Sequence, residues 1–381
     1  MRHRLQLVTI GTLIPGVLAA QTGAFVVRLG NDTLAVEQYA RTADRQRIVL
    51  RGEQVVRSPR TQHRIYTATF GAGGAGERFE LVTHTVSAGP GPAETKATME
   101  FAGDSAVVQV TRGDSVATQR IKLGPGGLPY FGQGFALVEE VTRRARAAGG
   151  DRYTTAMLPL GEDEPWKVEV LRLGRDSMTI MIGPLGPLRL RVDERGTLLG
   201  VTGIGSTTQV TVERTARLDL AALTTAFAAR PLGILSPPDS VTTAVAGASL
   251  AVRYSRPSMR GRVIFGSVVP WNRVWRTGAG AATLFETSAD LVMGRTTVPA
   301  GKYSLWTIPS PSSWTLIVNR NTGQWGTDYD AQYDLARLDM TVERLAQPIE
   351  QFRIAIEPRE SGGVLALEWE RTRAWVPFSK K

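Results

Sequence analysis

The chain has 381 residues, 42% of them apolar and 21% charged, with 40 glycines, 21 prolines and no cysteine. That length exceeds what one core usually organises and predicts two domains, while the glycine and proline content predicts short strands joined by many turns. Disulfides and thiolate metal sites are excluded. The formal charge of +10 is carried by 39 scattered arginines and six lysines, without the one-sided basic, aromatic-laced face of a nucleic-acid module.

The opening residues, MRHRLQLVTIGTLIPGVLAAQ, set Arg2 and Arg4 before an apolar run from Leu5 to Leu18, and small residues follow. This is the layout of a secretory signal peptide over residues 1–20, with cleavage expected after Ala19 or Ala20. The run is too short to cross a bilayer, and no other window is long and apolar enough. With no cysteine to carry a lipid, the mature protein is expected to be soluble, unlipidated and periplasmic or secreted.

Residues 21–230 read as an antiparallel β domain. FVVRLGNDTLAVEQYAR joins two runs through Gly30-Asn31-Asp32, and TMEFAGDSAVVQVTRGDSVATQRIKL does so through Gly103-Asp104 and Gly113-Asp114; such pairs are hairpin signals. Over residues 134–149 the period changes. Phe135, Val138, Val141 and Ala145 recur at three- and four-residue steps, with Glu139, Glu140, Arg143, Arg144 and Arg146 on the other side, which predicts an amphipathic helix. Strands then resume, with turns at 174–176, 183–184 and 194–196, and Asp219 is placed to cap a second short helix. A β-meander with one inserted helix looks like the half-barrels that carry lipids or lipoproteins across the bacterial envelope. Such a sheet either leaves an apolar cleft beside the helix or is plugged by it.

The stretch 231–248, PLGILSPPDSVTTAVAGA, is rich in prolines and small residues and is expected to be a linker. Seven of the eight tryptophans lie beyond it. Apolar and polar residues alternate in 352–357 and 365–370, and Pro299 with Gly301 sets a tight turn. About nine short strands are predicted over 249–378, which suits a β-sandwich. The expected fold class is mainly β: an N-terminal, half-barrel-like antiparallel sheet with one or two helices, and a C-terminal sandwich.

Five segments in order, YSRPSMRGRVIFG, VPWNRVWRTGAGAAT, VPAGKYSLWTIP, WTLIVNRNTGQWG and LALEWERTRAWVPF, make residues 231–378 resemble domain-of-unknown-function family 2911, found in exported bacterial proteins. The resemblance implies a compact β-rich domain and carries over no activity. Where the family usually ends its Trp-Arg motif in Gly-Ala-Asn, this chain has Gly280 in place of the asparagine.

Reactive groups are scarce. His63 and His84 sit in strand-like segments, no Gly-x-Ser-x-Gly elbow occurs, and no phosphate-binding glycine motif follows a strand. Without cysteine or histidine in the last third, oxygen-ligated calcium is the one metal class left, and no other cofactor is expected. GTDYDAQYD offers Asp328, Asp330 and Asp334 for it, but the glycine and terminal glutamate of an EF-hand loop are missing. The same acids would serve glycan hydrolysis if two faced each other.

The stretch VPWNRVWRTG is expected either to pack a sheet corner or to stack on a ligand. For the second case the candidate residues are Trp271, Arg273, Arg276, Glu286, Tyr303, Trp306 and Trp325, since indole faces beside guanidinium groups suit sugar rings. Together these features point to an exported, non-enzymatic envelope protein that binds a lipid, glycan or protein. The alternatives are a carboxylate-dependent glycan hydrolase and a purely structural interaction module.

Overall fold

The computed structural model describes residues 20–86, 93–124, 126–204 and 209–381. The expected signal segment, apart from Ala20, lies outside the described residues. Eight strands follow one another as a meander: β1 (Gln21–Leu29), β2 (Asp32–Ala43), β3 (Arg47–Val56), β4 (Gln62–Gly71), β5 (Gly76–Thr85), β6 (Glu94–Ala102), β7 (Ser105–Arg112) and β8 (Ser115–Lys122). The expected hairpin turns fall between these strands, and Gly30, Gly103 and Gly113 all take the left-handed backbone that such turns require.

Next come β9 (Leu128–Tyr130) and the helix α1 (Phe135–Ala148), then a second meander of β10 (Arg152–Pro159), β11 (Trp166–Arg172), β12 (Ser177–Ile182), β13 (Pro187–Val192), β14 (Leu198–Gly203) and β15 (Thr211–Thr215). Pairing of β1 with β15, Phe25 opposite Arg214, merges both meanders into one fifteen-stranded sheet with β8 and β9 at its edges. Every ladder is antiparallel except β9 with β10.

This sheet curls around α1. Phe135 through Thr142 are all buried, and the helix shares one core with Phe25, Leu50, Tyr66, Phe79, Met157, Ile180 and Leu190 from strands on both sides. The polar side of the helix is buried too: Glu139 and Glu140 are 1% and 2% exposed. The helix therefore plugs the half-barrel along most of its length. Asp219 caps the second helix, α2 (Leu220–Ala229), by accepting from the Ala222 amide at 3.0 Å. Leu220, Leu223 and Phe227 of α2 pack on Val36 and Val55 from the outside of the sheet.

A second sheet holds nine strands: β16 (Pro238–Val245), β17 (Ala248–Ser255), β18 (Thr283–Thr287), β19 (Leu291–Met293), β20 (Thr296–Val298), β21 (Gly301–Pro309), β22 (Trp314–Asn319), β23 (Asp334–Arg359) and β24 (Gly362–Lys380). The stretch expected to be a linker thus contributes a strand, with Val241 paired to Val252. Its prolines are compatible with this because Pro238 is the first residue of an edge strand, where no ladder amide is needed. The start of β23 pairs with β22 and the rest with β24, and the register shifts between Arg344 and Arg353. Across that bend Phe352, Ile354, Leu365, Leu367 and Trp369 share one core with Val252, Phe285, Leu316 and Leu338, the facing-layer packing of a sandwich.

Candidate functional site

The interior of the half-barrel is organised by carboxylates. Glu37 on β2 has the same parity as Ala35 and Tyr39 and so points inward. It is fully buried, accepts the Tyr66 phenol at 2.7 Å, and takes the Phe135 and Ala136 amides at 2.7 and 3.0 Å. It thereby satisfies orphan donors at the N-terminus of α1, where the N-cap residue, Gly134, has no side chain to do so. Burial pushes this carboxyl up from 4.5 to about 7 despite those hydrogen bonds.

One turn along, Glu139 accepts from the Tyr39 phenol at 2.6 Å and the Leu198 amide at 2.9 Å, and it pairs with Arg143 and Arg214. Glu140 pairs with Arg41 at 2.9 Å. Arg214 lies over the Phe25 ring, 5.0 Å from its centroid. Every charge brought in by the polar side of α1 has a partner, as burial demands. The sequence signal for this network was the inward parity of Glu37 between Ala35 and Tyr39.

Beyond the first turn of α1 the packing opens into an apolar cavity of about 200 Å³. Leu29 and Leu34 line it from the β1–β2 hairpin, Phe135 and Val138 from the helix, and Ile182, Leu185 and Leu188 from the β12–β13 end, with Val210 and Leu235 completing the wall. Its polar lining groups are Gln133 and Tyr130, and burial pushes the Tyr130 phenol up to about 12. Among the described residues, no carboxylate, imidazole, amine or guanidinium lines it. At the same end Leu185, Ile204 and Ile234 are 39%, 38% and 58% exposed, and the Ile204 amide donates to Pro187 beside the cavity. An apolar hollow with an apolar rim can hold a hydrocarbon and offers no acid or base to act on it. A larger concavity, about 830 Å³, lies on the outer face over Gln38, Arg51, Glu53 and Thr67; it is open, and polar residues alternate in its lining with Ala24, Ala40 and Ile65.

The structure scatters the aromatic candidates of the sandwich. Trp275 is buried among Phe265, Trp314, Phe352 and Trp369, and its Nε1 donates to the Gly278 carbonyl at 3.2 Å. The corner at Trp275 is packed core. Trp306 is 1% exposed under the 320–333 loop, where its Nε1 donates to Ser304 and its ring meets Tyr329. Tyr303 faces the core on the opposite side of β21, its phenol donating to Pro299.

Arg276 donates to the Gly280 carbonyl at 3.0 Å, and burial holds its guanidinium below the usual arginine range. It does not pair with Glu286, which engages Arg253 at 2.8 Å and Lys302 at 3.4 Å. Trp325 is half exposed beside Gly280. Arg273 is exposed, and Trp271 lies half-buried against Phe265 in a separate cleft.

The acidic loop does not assemble a ligand set either. Asp330 caps the turn at Gln332, and Asp334 accepts from Asn319, Tyr329 and Arg337. Asp328 is bonded by the neighbouring Thr327 hydroxyl. Among the described residues no three acidic or histidine side chains converge as metal ligands, and no helix is long and apolar enough to cross a membrane.

The molecule is therefore a mainly β protein of two large sheets, one wrapped around a helix and one folded into a sandwich. Residues 236–378, the sandwich, match the model of the family described as protein of unknown function (DUF2911). Among solved structures, the beta-barrel-like protein of domain of unknown function DUF1849 from Brucella abortus is similar at 15% identity and a TM-score of 0.37, over 52% of this chain and 96% of that one. A duf1089 family protein from Pseudomonas aeruginosa is similar at 17% identity and a TM-score of 0.29, over 51% of this chain and 95% of that one. No curated protein matches the chain.

Proposed function

We propose that this is an exported binding protein of the cell envelope whose half-barrel takes up the end of a hydrocarbon chain, as in an acyl lipid or a lipidated partner. The observation that carries this reading is the cavity at the mouth of α1, walled by leucine, isoleucine, valine and phenylalanine, with the partly exposed Leu185 in its lining and exposed Ile204 and Ile234 next to lining segments, Ile204 through its bond to Pro187 and Ile234 as the neighbour of Leu235. Its volume of about 200 Å³ exceeds the roughly 150 Å³ that holds a benzene ring in an engineered apolar cavity elsewhere. It falls short of the roughly 300 Å³ at which pockets for whole small molecules begin. The hollow therefore suits the terminal segment of a chain, with the remainder lying across the exposed rim. Each methylene moved from water contributes about 0.8 kcal/mol. The basic, apolar and small-residue sequence at the N-terminus supports export.

The test is displacement of cis-parinaric acid from the full chain, read by its fluorescence, together with native mass spectrometry of the purified protein. Leu185→Asp places a charge on the rim at a partly exposed position, so folding is retained, and it is expected to weaken the probe at least tenfold. Probe binding equal in Leu185→Asp and the unchanged protein would overturn the reading.

A further inference from the structure

The sandwich carries a second, chemically different cleft, and we infer that it is a subsite for a pyranose ring of a glycan. The cleft measures about 540 Å³ and lies between the Trp271 corner and the bend of the β23–β24 ribbon. One face of the half-buried Trp271 indole stacks on Phe265, with centroids 6.0 Å apart and planes 25° from parallel. The indole is part of the cleft lining. Ser312, Glu343, Arg344, Glu370, Arg371 and Thr372 supply the polar lining.

Left-handed backbone stands on both walls, at a residue type that tolerates it, Asn272, and at one that does not, Glu370. Asn272, next to Trp271, takes φ 59 and is pinned by its amide to the Pro309 carbonyl at 2.8 Å. Glu370 takes φ 55 where the register of β24 against β23 shifts. A glycine would hold that conformation without strain; a glutamate held there aims a carboxylate, and such outliers gather at ligand clamps. Glu370 lines the cleft, and among the described residues it makes one long hydrogen bond, from the Phe265 amide at 3.5 Å to one carboxylate oxygen.

The lining chemistry narrows the ligand. Glu343 is bonded by the Trp375 indole at 2.8 Å and Arg371 by the Ala346 carbonyl, yet a hydrocarbon laid in the cleft would still strip water from these charged groups and give them nothing in return. An anion meets Glu343 and Glu370, and a cation meets Arg344 and Arg371. A neutral polyol with one apolar face suits all of them: its axial C–H groups lie on the indole and its hydroxyls reach the carboxylate, guanidinium and hydroxyl groups. β-1,4-linked sugars with equatorial hydroxyls present such faces most broadly.

The experiment titrates the full chain with cellotetraose and with tetra-N-acetylchitotetraose by calorimetry, while saturation-transfer NMR reads which sugar protons touch the protein. The expected result is binding of at least one of them, with strongest transfer to the axial ring protons. Trp271→Ala is expected to lose at least tenfold in affinity. Glu370→Gly is expected to lose as much while its Tm stays equal or rises, a combination that a purely structural Glu370 would not give. The inference fails if neither oligosaccharide binds, or if Glu370→Gly binds as the unchanged protein does. Because Glu370→Gly relieves strain, it decides the matter even if Trp271→Ala does not fold. Fatty-acid binding at the half-barrel is read separately and is not expected to change in either variant.

Discussion

The backbone amide of Asn31 donates to the carbonyl oxygen of Arg260 across 2.8 Å, and the Arg260 guanidinium pairs with Asp32, the next residue. The β1–β2 turn of the half-barrel is thus seated in the Met259–Arg262 loop, inside the stretch that matches the DUF2911 model. There is no room to spare. A Cβ on Gly30 would stand 2.0 Å from the Arg260 carbonyl oxygen, and one on Gly261 would stand 2.2 Å from the side-chain Nδ2 of Asn31.

Gly30→Ala is accordingly expected to open this joint, because the obstructing atom is backbone and Gly30 also has φ 60. A cost of about 2–3 kcal/mol is expected from the strained φ and the lost contacts. Asp32→Asn keeps a hydrogen bond and loses only the charge of a partly exposed pair, so it should cost about 1 kcal/mol or less. Urea unfolding read by tryptophan fluorescence checks both. A Gly30→Ala variant within about 0.5 kcal/mol of the parent, the range of an ordinary surface change, would show that the joint is loose.

Stability should depend on pH through Glu37. Burial is the main cause of its rise to about 7, the nearby Glu139 charge adds to it, and the Tyr66, Ala136 and Phe135 donors oppose it. Because the folded value lies above the ordinary 4.5, the contribution is fully present below about pH 4.5 and is lost as pH rises through 7. At about 1.36 kcal/mol per pH unit across that window, the loss is about 3 kcal/mol at most. The Tm is therefore expected to fall between pH 5 and 8, and Glu37→Gln, which cannot ionise, should flatten that slope. Parallel profiles for the two proteins would remove Glu37 as the cause.

Much of this architecture was legible in the sequence. The hairpins, α1 and the Asp219 cap follow from turn chemistry and from period two giving way to period 3.6. What covers a face is not written in its period. The polar side of α1 reads like any solvated helix surface, yet Glu139 and Glu140 are buried because the sheet closes over them. The pairing that brings the two meanders together sets Phe25 beside Arg214, far too distant in sequence for any local signal. The 231–248 stretch misled for a related reason: its prolines fit an edge strand as well as a linker. Among the aromatic candidates, composition gave no means to separate Trp306, buried under a loop, from Trp325, which is half exposed.

A row of residues across the half-barrel, Gly23, Tyr39, Gly52 and Tyr66, lies in direct register. A Cβ on Gly52 would stand 2.3 Å from the Tyr66 phenol oxygen, the donor to Glu37. Gly52→Ala should displace that ring and leave a buried carboxyl short of a partner, at about 3 kcal/mol from overpacking and the lost bond. Gly73→Ala is the control, since nothing lies within 4 Å of a Cβ there, and it should change stability by less than about 0.5 kcal/mol. Equal midpoints in guanidinium chloride for the two variants would mean that the Tyr66–Glu37 contact does not depend on Gly52.

Gly280 stands where the resembling family usually has asparagine, and the surroundings define what that change does. Its φ is 70, a region that asparagine tolerates better than other side-chain-bearing residues. A Cβ there would touch the Trp325 ring at 3.5 Å, an ordinary contact. The Gly280 carbonyl is already engaged by Arg276 and by the Gly326 amide, so the backbone has no reason to move. Gly280→Asn is therefore expected to keep stability within about 1 kcal/mol, the small backbone cost being offset by cover over the indole. Trp325, 52% exposed in this chain, should become less accessible to acrylamide, measured as the difference between Gly280→Asn proteins with and without Trp325→Phe. Unchanged quenching of Trp325, or a loss above about 2 kcal/mol, well beyond the roughly 0.5 kcal/mol of an ordinary surface change, would mean that the 280 position does not face the indole as described.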